Sequence, residues 1–178
     1  NWKQMIESFL LDPEKTMEKI NQYGATYACI SVGFAPTVKE LDILSQISLQ
    51  YICKAVLLKE FPFVLFPVSD DSTVQFFLSD PKVAVNIAFQ IPTILKPFSI
   101  TPIIGLGYGH CYFLDNNFKS EQANKAKRLN FHGAVNEITA TEEFKQNCAL
   151  PEGIGAFSGS MKAKKSLGFA FWILKDYR

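Results

Sequence analysis

Hydrophobic and polar positions fall into blocks whose spacing switches between helical and strand periods. Residues 1–24 read as a helical lead-in, with Asp12-Pro13-Glu14 as a cap and Gly24 as its end. Residues 25–35 are small and β-branched, which predicts a buried strand. A helix is then predicted from a Thr37/Glu40 capping box, with Leu41, Leu44, Ile47, Tyr51 and Ala55 at helical spacing. The apolar runs 63–66 and 74–78 flank the polar cluster Ser69-Asp70-Asp71-Ser72, which predicts a hairpin. Ser79-Asp80-Pro81 opens a second helix with Val83, Ile87, Ala88 and Ile91 inward, and Pro92 is expected to kink or end it. Residues 100–114 predict another strand, and Ser120 caps a third helix to about Asn130. Thr139 and Glu142 begin a fourth helix. Residues 154–174 read as two closing strands, the last alternating Phe169, Phe171, Ile173 against Ala170, Trp172, Leu174.

The order is β-α-β-β-α-β, then helices and a hairpin. It predicts an α+β fold: a ferredoxin-like (βαββαβ) two-layer sandwich with a C-terminal helix and β-hairpin extension. The expected division is a helical lead-in or linker over 1–24 and one domain over 25–178.

Composition narrows the class. Of 178 residues, 48% are hydrophobic and 20% charged, which excludes a disordered chain. A net charge of +1 gives no general electrostatic case for nucleic acid or anionic lipid. Cys29, Cys53, Cys111 and Cys148 form no C-x-x-C pair and read as reduced, buried small hydrophobes of an intracellular protein. Zinc is not expected, because His110 and His132 show no ligand spacing. No apolar stretch reaches the roughly 20 residues of a membrane span. The chain does not begin with Met, so it is expected to be a piece of something longer.

Most candidate motifs have two readings. Gly105, Gly107 and Gly109 alternate along one strand, so a dinucleotide fingerprint is rejected. They mark either a bend or a strand face bared for the close approach of a helix or another chain. Asp70-Asp71 is either a solvated turn or a carboxylate pair presented to a divalent cation. Asn124 and Arg128 lie four apart on one helix face, where they are either surface groups or an amide and a guanidinium aimed at a ribose and a phosphate. Lys162, Lys164 and Lys165 near the last hairpin read as a solvated turn.

Four segments together resemble the catalytic domain of class III adenylate and guanylate cyclases. Cys29-Ile30-Ser31-Val32-Gly33-Phe34 resembles the first strand, which ends Asp-x-x-Gly-Phe. Ser69-Asp70-Asp71-Ser72 and the apolar strand after it resemble the Gly-Asp hairpin. Ile104-Gly105-Leu106-Gly107-Tyr108-Gly109 resembles Ile-Gly-Ile-His-x-Gly, and Ala123-Asn124-Lys125-Ala126-Lys127-Arg128-Leu129 resembles Val-Asn-x-Ala-x-Arg-Leu.

The resemblance implies formation of a cyclic nucleotide from ATP or GTP with release of pyrophosphate, using Mg²⁺ or Mn²⁺. It implies a head-to-tail homodimer or heterodimer with a second cyclase-like domain; the charge balance predicts no nucleic-acid partner, and the unpaired thiols with the implied nucleotide substrate predict a cytoplasmic location. Asp71 corresponds to the second metal aspartate, with Asp70 as a substitute ligand. Asn124 and Arg128 correspond to the transition-state pair and Lys162 to the lysine before the last strand. The first metal aspartate falls on Ile30, the Gly before the second on Asp70, and the two base-selecting positions on Pro67 and Asn117. These departures imply a degenerate metal site. The alternative is a silent or half-site module for dimerisation or nucleotide sensing.

Overall fold

A computed structural model describes residues 2–22, 24–34, 42–69, 73–114, 117–134 and 136–178. Two short helices lead in, α1 (Trp2–Leu11) and α2 (Pro13–Gln22). Asp12 caps the second, its Oδ1 accepting from the Lys15 amide at 3.2 Å. Gly24 does not end a helix but opens β1 (Gly24–Phe34). There follow α3 (Ile43–Glu60), β2 (Leu65–Ser69), β3 (Thr73–Leu78), α4 (Pro81–Leu95) and β4 (Pro102–Leu114). The remainder is β5 (Asn117–Lys119), α5 (Glu121–Asn130), β6 (Ile138–Thr141), α6 (Glu142–Asn147), β7 (Ile154–Ser158), α7 (Met161–Leu167) and β8 (Phe171–Asp176).

All strands join one sheet in the order β2-β3-β1-β4-β6-β8-β7, with β5 paired to β4. The first four of that order, linked by α3 and α4, are the ferredoxin-like βαββαβ unit read from the sequence. β6 lies parallel to β4, with Ile104 opposite Ile138. The last two strands pair antiparallel, Phe157 opposite Ile173.

Strand alternation assigns the two faces. Ile30 and Val32 of β1, Val74 and Phe76 of β3, and Ile104 and Leu106 of β4 share one core with α3, α4 and α6. Cys29, Phe77 and Cys111 face the other way, onto Ala123 and Ala126 of α5. Phe171 and Ile173 likewise share a face and pack with Leu129 and Leu167, as their alternation predicts, whereas Phe169, expected to open that strand, lies in the bend before β8 and packs against the same cluster.

Several expectations need correction. The stripe Leu44, Ile47, Tyr51 is exposed, at 74%, 45% and 72%, while Cys53 and Leu57 are buried. α3 is apolar around most of its girth, so periodicity offers two stripes and tertiary packing selects one. The capping box Thr37/Glu40 lies outside the described residues; the observed cap is Asp42, accepting from the Ser45 amide at 2.7 Å. That bond is the largest cause holding the Asp42 carboxyl below its usual range. Pro92 does not end α4, which continues to Leu95. Ile91 and Leu95 on either side are 1% and 0% exposed, and burying each gives about 2 kcal/mol against a proline cost of about 3 kcal/mol.

Thr139 belongs to β6, and Thr141 is the cap of the next helix, accepting from Phe144 at 3.2 Å. β2 begins at Leu65 rather than Phe63. The closing strands are no tight hairpin, because α7 intervenes. Ser160 caps α7 and Gly168, at φ 79°, ends it. Lys162, Lys164 and Lys165 therefore sit on a helix, not in a turn.

Candidate functional site

The glycine strand decides where α5 lies. A Cβ at Gly105 would stand 2.4 Å from the Ala126 carbonyl oxygen, and one at Gly107 2.5 Å from that of Gln122. The bared face is therefore the seat of α5, and the second reading of these glycines holds.

A buried polar network then fixes the end of that helix. Ser31 Oγ donates to Asn130 Oδ1 at 2.6 Å. Asn130 Nδ2 donates to the carbonyls of Ser31 at 2.9 Å and Ile103 at 2.7 Å. Gln75 Nε2 donates to the Ala123 carbonyl at 2.8 Å. Among the described residues no buried side-chain nitrogen or oxygen lacks a partner, so this network adds orientation without an unpaired group.

On a helix so held, Asn124 and Arg128 are exposed on one outer face, one turn apart. The Arg128 Nη2 donates to the Leu167 carbonyl at the end of α7. Its guanidinium lies 5.2 Å from the Phe169 ring centre, and the Lys125 ammonium lies 5.5 Å from the same ring. Lys125 pairs with Glu143 at 2.8 Å. Partial burial pushes the Glu143 carboxyl up, but the bond from Lys125 and further contacts outweigh this and hold it below its usual range. Lys162 is exposed in the first turn of α7, five residues before the carbonyl that Arg128 binds, about 7.5 Å of helix rise. Lys164 Nζ donates to Ser158 Oγ at 2.5 Å. α7 carries three lysines and no acid, so it adds positive charge beside α5.

The cation side differs. Asp70 and Asp71 lie outside the described residues. Ile30, which the resemblance matched to the first metal aspartate, is 0% exposed on the opposite face of the sheet from α5. The void beside it is about 10 Å³, lined by Ile30, Leu57, Phe61, Val64, Phe76, Ile87 and Ile91, too small for a hydrated ion. Among the described residues no three His, Cys, Asp or Glu side chains group to hold a metal. The described donors thus do not fit a two-metal centre.

Of the two positions the resemblance matched to base selection, Pro67 falls on the edge strand β2, where a register shift lies between Leu65 and Val68. Asn117 opens β5 opposite Leu114. The four cysteines are free and buried, as read; burial pushes the Cys53 thiol up to about 12 and Cys29 well above its usual range. They are unsuited to act as nucleophiles. Sequence reading missed Phe169, the Leu167 carbonyl and the Ser31–Gln75–Asn130 network. The one local signal for the corner was Ser160 and Gly168 bracketing α7. No helix among the described residues is long and apolar enough to cross a membrane.

No family model and no curated protein sequence matches the chain. Solved structures do. The catalytic core of a rhodopsin-guanylyl cyclase with converted specificity, in complex with ATPαS, is 14% identical over 87% of this chain and 99% of that one, with a TM-score of 0.67. The guanylate cyclase domain of RhGC from Catenaria anguillulae, in complex with GTP, is 15% identical over 86% and 97%, at 0.65. A bacterial light-regulated adenylyl cyclase is 13% identical over 96% of this chain and 64% of that one, at 0.64. The fold is thus that of nucleotidyl cyclase catalytic domains.

Proposed function

We propose that this chain is a class III nucleotidyl cyclase homology domain that supplies the phosphate- and ribose-steadying half of a site shared across a two-fold seam. The observation that supports the reading is the seating of α5: Asn124 and Arg128, matched to the family's pair by motif, stand one turn apart on a helix held by the glycine face of β4 and by Asn130. Arg128 would neutralise charge developing on the transferring phosphoryl group, Asn124 would orient the ribose, and Lys162 would add a donor for the polyphosphate. Asp71, with Asp70, would face the same triphosphate from the partner subunit. Divalent ions in this family activate the ribose hydroxyl and hold the triphosphate. Ile30 cannot ligate one, so no step is assigned to a metal on this chain.

The burial of Ile30 favours a second reading, in which the domain binds nucleotide or dimerises without turnover. One experiment separates the readings. Purified domain and its Arg128→Ala variant are titrated with Mn²⁺–tripolyphosphate, and both are assayed with ATP and GTP for cyclic product. Arg128→Ala is expected to weaken binding about tenfold, the effect of losing one charge-assisted contact. Unchanged binding would remove α5 from the site. Product above a blank selects turnover by this domain with its own copy; no product together with binding that depends on Arg128 sinks the stand-alone enzyme and leaves a nucleotide-binding or half-site role.

A further inference from the structure

We propose that Phe169, with the Leu167 carbonyl, is the positioning element that pre-orders Arg128 for an anionic ligand; this rests on the reading of Arg128 given above. Arginine is long and rotamer-rich, so a solvent-exposed guanidinium must lose freedom before it can grip a phosphate. Here much of that freedom is already removed. The ring of Phe169 lies under the guanidinium, with 5.2 Å from Cζ to the centroid. The carbonyl of Leu167 accepts from Nη2.

Both parts of the cradle are themselves anchored. Leu167 is 1% exposed and packs with Leu129 and Phe171. Gly168, in the left-handed region at φ 79°, turns the chain out of α7 so that the Leu167 carbonyl stands free of the helix and Phe169 follows at once. The cradle places the ring beside the guanidinium and uses one of its donors. A fork of the remaining N–H groups stays available to phosphate oxygens. Lys125 shares the ring at 5.5 Å but is paired with Glu143, so at the ring itself Arg128 is the cation left to meet an anion. Phe169 touches no reacting atom; it acts through Arg128.

The test is a double-mutant cycle on the whole domain, with Mn²⁺–tripolyphosphate as probe and calorimetry as readout, beside NMR relaxation of the Arg128 Nε–H group. Phe169→Leu is expected to weaken binding about twofold to fivefold, the range of an exposed cation–π contact, and to lower the Arg128 order parameter. Phe169→Tyr, which keeps the ring, is expected to restore both. In an Arg128→Ala background Phe169→Leu is expected to have no further effect. Binding unchanged in Phe169→Leu while Arg128→Ala is weakened would overturn the inference alone. The same weakening in the Arg128→Ala background would also overturn it, because the ring would then act by another route. Full binding by Arg128→Ala itself would overturn the phosphate reading and this inference with it.

Discussion

Replacing Gly105 by alanine is expected to destabilise the domain by about 3 kcal/mol and lower the melting temperature by roughly 6–12 °C. The added Cβ would stand 2.4 Å from the Ala126 carbonyl oxygen and 3.0 Å from the Leu129 Cβ. Neither is the end of a flexible side chain, so α5 must lift as a unit. Lifting it would strain the bonds from Asn130 Nδ2 to Ser31 and Ile103, which leave no slack at 2.9 and 2.7 Å. Alanine restricts the unfolded chain and returns only about 0.4–1 kcal/mol. Gly168→Ala is the matched control. Nothing lies within 4 Å of its Cβ, but φ is 79°, so the expected loss is about 1–2 kcal/mol from backbone strain. Thermal denaturation of both variants checks the order. A Gly105→Ala domain that melts with wild type would mean that α5 does not rest on β4, and Asn124 and Arg128 would lose their platform.

Ile30→Asp is the second large effect. By family register this substitution restores a metal ligand, and on that ground alone it would be expected to raise affinity for Mn²⁺. Ile30 is 0% exposed among Leu57, Phe76, Ile87 and Ile91, on the opposite face from α5. A carboxyl placed there loses the buried isoleucine, about 2–5 kcal/mol by analogy with truncation to alanine, and leaves polar atoms without partners. The expected outcome is a loss of about 4 kcal/mol or more at neutral pH. Desolvation would raise the folded-state pKa of this carboxyl above its unfolded value of about 4. The neutral form is the one tolerated, so the variant is relatively most stable below the unfolded pKa and loses stability as pH rises through the folded one. Denaturant melts at pH 4 and 7 in the presence and absence of Mn²⁺ check this. A variant as stable as wild type at pH 7, or one rescued by Mn²⁺, would show that position 30 opens to a second ligand.

Much of this architecture was legible in the sequence because its signals are local. Ser120 marked the start of α5 by its cap, and the alternation of Phe171 and Ile173 against Trp172 and Leu174 assigned the faces of β8. The triple-glycine strand announced a close neighbour without saying which. What could not be read depends on residues far apart in the chain. Which stripe of α3 is buried is settled by α4 and the sheet. The grip of Phe169 on Arg128 joins α5 to the α7–β8 corner, and Ser31 meets Asn130 across 99 residues. Short elements were lost for another reason. β6 has four residues and ends on the threonine that caps α6, so two signals overlap there. Of the two outcomes expected at Pro92, a kink or an end, the end does not occur, because the burial of Leu95 beyond it draws the helix on.

The most direct test of the shared-site account is a crystal structure of the domain grown with Mn²⁺ and tripolyphosphate. The account predicts a two-fold pair in which Arg128 and Asn124 of one protomer contact the polyphosphate from one side and Asp71 of the partner subunit approaches it from the other. A polyphosphate bound away from α5, or a pair whose seam leaves Asn124 and Arg128 facing only solvent, would contradict it.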